Sequence, residues 1–371
     1  VMISLAPNNI IGGAAEGAGN VLSGNAQQGV YVLGGTATGN VVVGNRIGTN
    51  AAGTAALGNL QNGVYLRGRS NRVGGTSTGE GNVISGNSQA GVAVFFADAT
   101  GNVIEGNRIG TNAAGDAAVG NATYGVDLRL SPSALVGGTA AGAGNVISGN
   151  ILAGVVIAGN TATGNQIQRN LIGTDFSGTA DVGNVGSGIL ISSNALNNTI
   201  GGVDAGNVIS GNNGRGIYFL GDAVQTNAVQ GNLIGTDVTG STALGNGNYG
   251  VWIAAKNNQI GGTGAGEGNV ISGNSGGGIY LIQPWSGAPA TGNRIEGNKI
   301  GVNLADAALG NQGAGVLLTV GAWGNTVGGA GAGNVIAHNT RQGIYVIGAT
   351  SVRNAISQNS IYQNGDLGID L

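Results

Sequence analysis

The sequence predicts an all-β solenoid, a right-handed parallel β-helix of about twelve coils of about 31 residues, with three short strands to a coil. Three observations predict it. A Val-Gly-Gly or Ile-Gly-Gly motif returns with its first glycine at Gly12, Gly74, Gly137, Gly201, Gly261 and Gly328. These positions are nearly evenly spaced, and a near-fixed period is the signature of stacked units that bury a continuous core between them. Within each unit the apolar residues alternate or form short β-branched runs, which is the pattern of strands. The runs are short and are bounded by Gly, Asn, Asp and Ser, which suit turns that need positive φ.

The second unit shows the elements in order. Asn71-Arg-Val-Gly-Gly opens it, followed by Gly81-Asn-Val-Ile-Ser-Gly-Asn87 and Gly91-Val-Ala-Val94. A similar half then begins at Asn102 with Asn-Val-Ile-Glu-Gly-Asn107, Ile109-Gly-Thr-Asn112, Ala118-Val-Gly-Asn121 and Gly125-Val-Asp-Leu128. The step from Asn40 to Asn71 equals the step from Asn71 to Asn102, so the elementary turn is half a unit. No window carries helical periodicity with caps, so almost no helix is expected. Strands of successive coils should pair at about 4.8 Å, with like side chains piled on one another. A right-handed winding follows from the handedness of parallel crossovers. Asn25, Asn87, Asn150, Asn212 and Asn274 recur at one corner, where stacked amides can form a ladder and also bond the turn backbone.

Composition narrows the function. Glycine supplies 79 of 371 residues without a Gly-X-Y period, so the chain is not collagen-like, and 41% hydrophobic residues in register argue against disorder. A net charge of −3 gives no basic stripe for a nucleic-acid backbone, so no nucleic-acid partner is expected. No apolar run reaches the roughly 20 residues of a membrane-spanning helix, so no membrane insertion is expected. The absence of cysteine excludes a disulfide framework and thiolate metal sites. We read residues 1–371 as a single β-helix domain, a piece of a longer secreted polypeptide.

Asn-Xaa-Ile-Xaa-Gly-Asn followed by Gly-Ile-Xaa-Val resembles the repeat of right-handed parallel β-helix proteins of the pectate-lyase-like superfold. Ile47-Gly-Thr-Asn50, Ala56-Leu-Gly-Asn59 and the closing stretch Asn359–Leu371 resemble repeats of large bacterial surface and secreted proteins. The resemblance covers the whole chain. It implies the fold and an extracellular or cell-surface location. It does not choose a function, because the superfold carries lyases, hydrolases, epimerases, tailspikes, adhesins and spacers alike. In its sugar-cutting members, clustered aspartates or a calcium-binding carboxylate group with a basic Arg or Lys do the chemistry in a groove along an outer sheet face.

Departures from the repeat are therefore the places to look for chemistry. The 16 acidic residues are mostly solitary, and no Asp-Asp or Asp-Xaa-Asp occurs. Glu105 and Glu296 share a strand position but lie three units apart. His338, the only histidine, replaces a corner glycine and has no partner in sequence. The best catalytic candidate is Asp127, at an outward strand position, with Arg67, Arg69 and Arg129 nearby. Arg67 and Arg129 should stand about 10 Å apart with Asp127 between them in projection. A solvated salt-bridge patch is the competing reading of that cluster. Asp175 and Asp237 share a turn position held elsewhere by Asn50, Asn112 and Asn303, so no metal site and no cofactor are expected beyond adventitious calcium. Thr49, Thr111, Thr174 and Thr236 recur only on alternate coils, too sparsely for an ice-binding array.

The aromatic departures are larger. The outward position of the Gly-Val-Xaa-Val strand reads Tyr31, Tyr65, Ala93, Asp127, Val156, Leu190, Tyr218, Trp252, Tyr280, Leu317, Tyr345 and finally Asp370. Tyr218 to Tyr345 should form an exposed stripe of roughly 20 Å, with Phe219, Trp285 and Trp323 in or just after nearby strands. Flat aromatic rows suit the stacking of sugar rings. The first expectation is a structural or adhesive rod of a bacterial extracellular protein that binds a polysaccharide or cell-surface glycan through Tyr218, Trp252, Tyr280, Tyr345, Trp285 and Trp323. One alternative is a polysaccharide lyase, hydrolase or epimerase centred on Asp127, Arg67 and Arg129. Another is an end-to-end self-assembling fibre subunit, because bare strand edges invite stacking.

Overall fold

The computed structural model describes residues 1–371, and no residue is helical. Each coil contributes one strand to each of three parallel sheets, in a fixed cycle. Sheet 1 has 13 strands, from Met2–Ser4 to Ile369–Asp370. Sheet 2 has 12, from Ile10–Gly12 to Ala355–Ser357, and sheet 3 has 12, from Val21–Leu22 to Ser360–Tyr362. The 13 strands of sheet 1 are twelve steps apart, which makes a rod of about 58 Å at about 4.8 Å per step. No helix is long and apolar enough to cross a membrane.

The register of sheet 1 follows the repeat residue for residue. Tyr31 pairs with Tyr65, Tyr65 with Ala93, Ala93 with Asp127, and Asp127 with Val156. The row continues through Leu190, Tyr218, Trp252, Tyr280, Leu317 and Tyr345 to Asp370. The next residue of each strand points inward, giving a vertical pile of Leu66, Val94, Leu128, Ile157, Ile191, Phe219, Ile253, Leu281 and Leu318. Phe219 is thus a fully buried core residue and not a neighbour of the outer stripe. The core is one continuous cluster of 51 buried residues, each large side chain contributing about 1.5–3 kcal/mol of transfer free energy.

Long and short coils alternate along the rod. The longer coils carry an excursion between sheets 3 and 1, closed by the antiparallel bridges Thr49–Ala56, Thr111–Ala118, Thr174–Asp181 and Thr236–Ala243. Excursions two coils apart stack directly, Phe176 N donating to Gly115 O at 2.8 Å and Val238 N to Gly178 O at 2.9 Å. The four threonines are buried in these turns and offer no surface array.

Asparagine ladders hold all three corners. One runs without a gap through Asn25, Asn59, Asn87, Asn121, Asn150, Asn184, Asn212, Asn246, Asn274, Asn311, Asn339 and Asn364, each Nδ2 donating to the Oδ1 of the next at 2.6–3.0 Å. A second runs from Asn20 to Asn359 in the same way. The third breaks once, at Ala134, between Asn102 and Asn165. In the first two ladders each interior amide uses both N–H bonds and both lone pairs, so a polar stack is buried with its hydrogen bonds met. The ladder also explains the Gly-Gly motif. Gly12 sits at φ +90°, and a Cβ there would lie 2.0 Å from Val43 O and against the Asn45 amide.

Candidate functional site

On the outer face of sheet 1, the side chains Tyr218, Trp252 and Tyr280 stand on consecutive coils, but not as a flat row. Trp252 meets Tyr280 edge-to-face with ring centroids 4.3 Å apart, and Tyr218 meets Trp252 at 6.0 Å and 71°. Tyr249, in the turn before the Trp252 strand, stacks on Tyr280 at 5.0 Å and 26°. Arg215, in the turn before the Tyr218 strand, lies over the Trp252 ring at 4.1 Å and over the Tyr218 ring at 4.4 Å. These rings stabilise one another across the sheet, and cation–π contacts of this kind contribute about 0.5–2 kcal/mol each. Burial pushes the Tyr249 hydroxyl above its usual pKa, with Tyr280 adding to the effect and Arg341 opposing it.

A groove of about 420 Å³ opens beside the cluster, lined by Arg215, Tyr218, Trp252, Ile282, Pro284 and Trp285, among others. Its second wall is the longest connection between sheets 1 and 2, which leaves sheet 1 after Leu281. Ser286 in that connection hydrogen-bonds the Asp222 carboxylate on the preceding long coil and pins the loop in place. Trp285 is 96% exposed at the mouth of the groove. A fully hydrated indole is costly, and large exposed apolar groups usually mark contact with something. Beyond Tyr249 and Tyr280, a smaller recess of about 260 Å³ is lined by Gln312, Leu317, Arg341, Gln342 and Tyr345.

The expected stripe is therefore partly redrawn. Tyr218, Trp252 and Tyr280 come together, with Trp285 as a wall. Tyr345 keeps the register but is separated from Tyr280 by Leu317, and it joins the second recess instead. Trp323 leaves the face. It lies in a small side ladder of Ala290–Thr291 with Ala322–Trp323, paired with Thr291. Arg215 and Tyr249 were not legible as site residues, because both sit in turns outside the compared strand position. The only signal for Tyr249 was its place just before the conspicuous Val251-Trp-Ile run.

The charged cluster at the other end of the face also differs from expectation. Asp127 is 4% exposed, not solvated. Its Oδ2 accepts from Arg129 at 3.1 Å, and its Oδ1 has no hydrogen-bond partner. Burial raises the carboxyl to a pKa of about 6, against the pull of Arg129. Arg67 does not pair with Asp127 and lies over the Phe96 ring at 4.2 Å. The residue between the two arginines is Phe95, which pairs with Arg129 in register and follows the Leu66–Val94 pair on the Arg67 side. Elsewhere, Glu105 pairs with Arg72 at 3.4 Å and Glu296 with Arg294 at 2.7 Å. No group of three or more His, Asp or Glu side chains is arranged to hold a metal ion. His338 adopts φ +59° at the corner usually given to glycine, its ring edge-to-face with Tyr362 at 5.8 Å.

No protein-family model matches the chain, and no curated protein does. Among solved structures it is similar to the Dettilon tailspike protein, at 18% identity and a TM-score of 0.42, covering 99% of this chain and 61% of that one. It is also similar to a variant of the periplasmic alginate epimerase AlgG, at 13% identity and a TM-score of 0.42 over 92% of this chain and 73% of that one. A PL6 family polysaccharide lyase from Pseudopedobacter saltans matches at 12% identity and a TM-score of 0.35, over 98% and 87% of the two chains. The chain thus spans about three fifths of the tailspike's length, and none of the three assigns a role to any residue of this one. What stands is the architecture: the protein is a parallel β-helix.

Proposed function

We propose that the chain is a rigid rod segment of an extracellular or cell-surface protein, and that it binds a glycan in the groove between the Tyr218–Trp252–Tyr280 cluster and Trp285. One observation carries the reading: an indole 96% exposed stands at the mouth of a groove whose floor is aromatic and whose flank is a guanidinium. Sugar rings present apolar C–H faces and a rim of hydroxyls. Aromatic faces take the first, and Arg215 and Gln283 donate to the second. The stiff ladders around the groove keep its walls in place before binding, which lowers the ordering cost of association.

Retention on a panel of soluble and insoluble polysaccharides tests it. The protein should be held by at least one polymer, and Trp285→Ala should release it at least tenfold more readily while leaving the circular dichroism unchanged. Equal retention of the variant would remove the groove from the account.

A second reading has one observation in its favour. A buried carboxyl with a raised pKa and an unpartnered oxygen, as at Asp127, is a feature of acid–base sites. We keep a polysaccharide lyase, hydrolase or epimerase centred there as that alternative. Release of unsaturated uronates or reducing ends from a polysaccharide panel, lost in Asp127→Asn, would establish it, and no product from any polymer would end it.

A further inference from the structure

We infer that the same outer face carries a second glycan-contact site, formed by Tyr31, Tyr65, Phe95 and Phe96 with Arg67 and Arg129, and that one polymer chain laid along the rod bridges it to the Trp252 groove. The inference rests on the glycan reading of that groove and adds a second point of attachment.

The second cluster repeats the composition of the first. Tyr31 meets Tyr65 at 5.2 Å, Tyr65 meets Phe95 at 5.3 Å, and Phe95 meets Phe96 at 6.3 Å, all edge-to-face. Guanidinium groups lie over its rings as Arg215 does over Trp252. Arg67 is 4.2 Å from the Phe96 centroid and Arg129 is 5.5 Å from that of Phe95. Phe96 is 39% exposed and holds φ +84°, in a turn position that is left-handed on neighbouring coils too, at Leu130, Gly159, Ser193 and Gly221. A bulky side chain in the left-handed region costs about 1–3 kcal/mol and persists where the surroundings over-determine it, commonly at binding sites. Nothing in the packing of the core requires that ring, which points away from the buried pile.

The two clusters stand on one row of one sheet. From Tyr65 to Trp252 is six register steps, through Ala93, Asp127, Val156, Leu190 and Tyr218. That is about 29 Å along the rod. Ala93, Asp127 and Val156 in between point outward yet are buried, so neighbouring side chains, Arg129 over Asp127 among them, cover this stretch and a polymer would lie on those side chains. The single carboxylate on the row between the clusters, Asp127, is paired with Arg129, so it offers little repulsion to a chain passing over it. An extended polymer continuous with both clusters would turn two weak contacts into one strong one through effective concentration.

The experiment uses size-fractionated fragments of whichever polysaccharide the protein retains, with affinity measured against fragment length. Affinity should rise at least tenfold once fragments are long enough to span about 29 Å, and Phe96→Gly should abolish that rise while leaving short-fragment affinity unchanged. Glycine relieves the strained φ at this position, so the variant should fold. Arg67→Gln, which leaves the backbone untouched, should weaken long-fragment binding in the same sense. A length profile without a step, or a step that survives both substitutions, overturns the second site while short-fragment binding keeps the groove. Retention of no polymer at all overturns both.

Discussion

Replacing Asn150 by alanine tests whether the ladders hold the corners. Asn150 Oδ1 accepts from Asn121 N at 3.3 Å and from Asn121 Nδ2 at 2.9 Å. Its Nδ2 donates to Asn184 Oδ1 at 3.0 Å and to the carbonyls of Ile109 and Ser148, each at 3.2 Å. Alanine removes all five bonds. Some groups keep a partner. Ile109 O still accepts from Ser148 N at 3.0 Å, and Asn184 Oδ1 still accepts from Asn150 N at 3.0 Å. Two donors do not: the backbone N–H of Asn121 and one N–H of its side chain, both buried. Unsatisfied buried donors cost about 1–3 kcal/mol each, so the expected loss is about 4 kcal/mol. Because each coil touches only its neighbours, the loss should be local. Hydrogen exchange should accelerate about a thousandfold at Asn121 and at Ser148 to Asn150, and little at the rod's ends. Asn213→Ala is the control. Asn213 neighbours the ladder residue Asn212 but is exposed, so its truncation should change stability by less than about 0.5 kcal/mol. Equal effects of the two substitutions in urea unfolding would refute the ladder as a stabilising device.

Ala134→Asn should do the reverse. Ser133 before it has φ +57°, matching φ +55° at Ser70 before Asn71, so the backbone already suits the missing amide. Closing the gap between Asn102 and Asn165 should raise stability by about 1 kcal/mol, measured as the urea midpoint. Asp127 should give a pH signature. Its folded pKa is raised from 3.8 to about 6, so its favourable contribution is full below pH 3.8 and is lost as pH rises through about 6, a change of about 3 kcal/mol. Asp127→Asn should flatten that part of the stability profile. Asp175 and Asp237 act in the opposite sense. Despite burial, which alone would raise them, hydrogen bonds from Ser177 and Thr239 and from turn amides hold their carboxyls below the usual range. Their contribution is present above pH 3.8 and lost only as pH falls through the lowered values. His338→Gly should stabilise by about 1 kcal/mol by removing a left-handed non-glycine residue, and a loss of stability would mean that its contact with Tyr362 matters more.

The architecture could be read from the sequence because two independent patterns agree. The Gly-Val-Xaa-Val strand fixes the register, and every pair from Tyr31 to Asp370 falls where the repeat places it. The corner glycines and asparagines fix the turns. The ladders were only partly legible. Asn87 and Asn150 stand in an obvious Ser-Gly-Asn signal, whereas Asn121 and Asn184 lie on the interleaved coils after Val-Gly, where equivalence appears only once the coils are stacked. The site was legible in its strand residues and opaque in its turns. Alternation places Trp252 and Tyr280 outward, but how Tyr249 and Arg215 fold back over them depends on turn geometry, which period-two patterning does not encode. Asp127 shows the opposite failure. Alternation correctly put it outward, yet Arg129 and the neighbouring rings close over it, so outward did not mean exposed.

The most direct test of the groove is chemical. Trp285 should oxidise rapidly with N-bromosuccinimide in the free protein, because its indole is 96% exposed, whereas Trp252 beneath Arg215 should react slowly. Peptide mapping by mass spectrometry reads each tryptophan separately. In the presence of a saturating retained polysaccharide, oxidation of Trp285 should slow at least tenfold, with a smaller change at Trp323 on the side ladder. Oxidation of Trp285 at an unchanged rate while the polymer remains bound would place the ligand elsewhere and contradict the account.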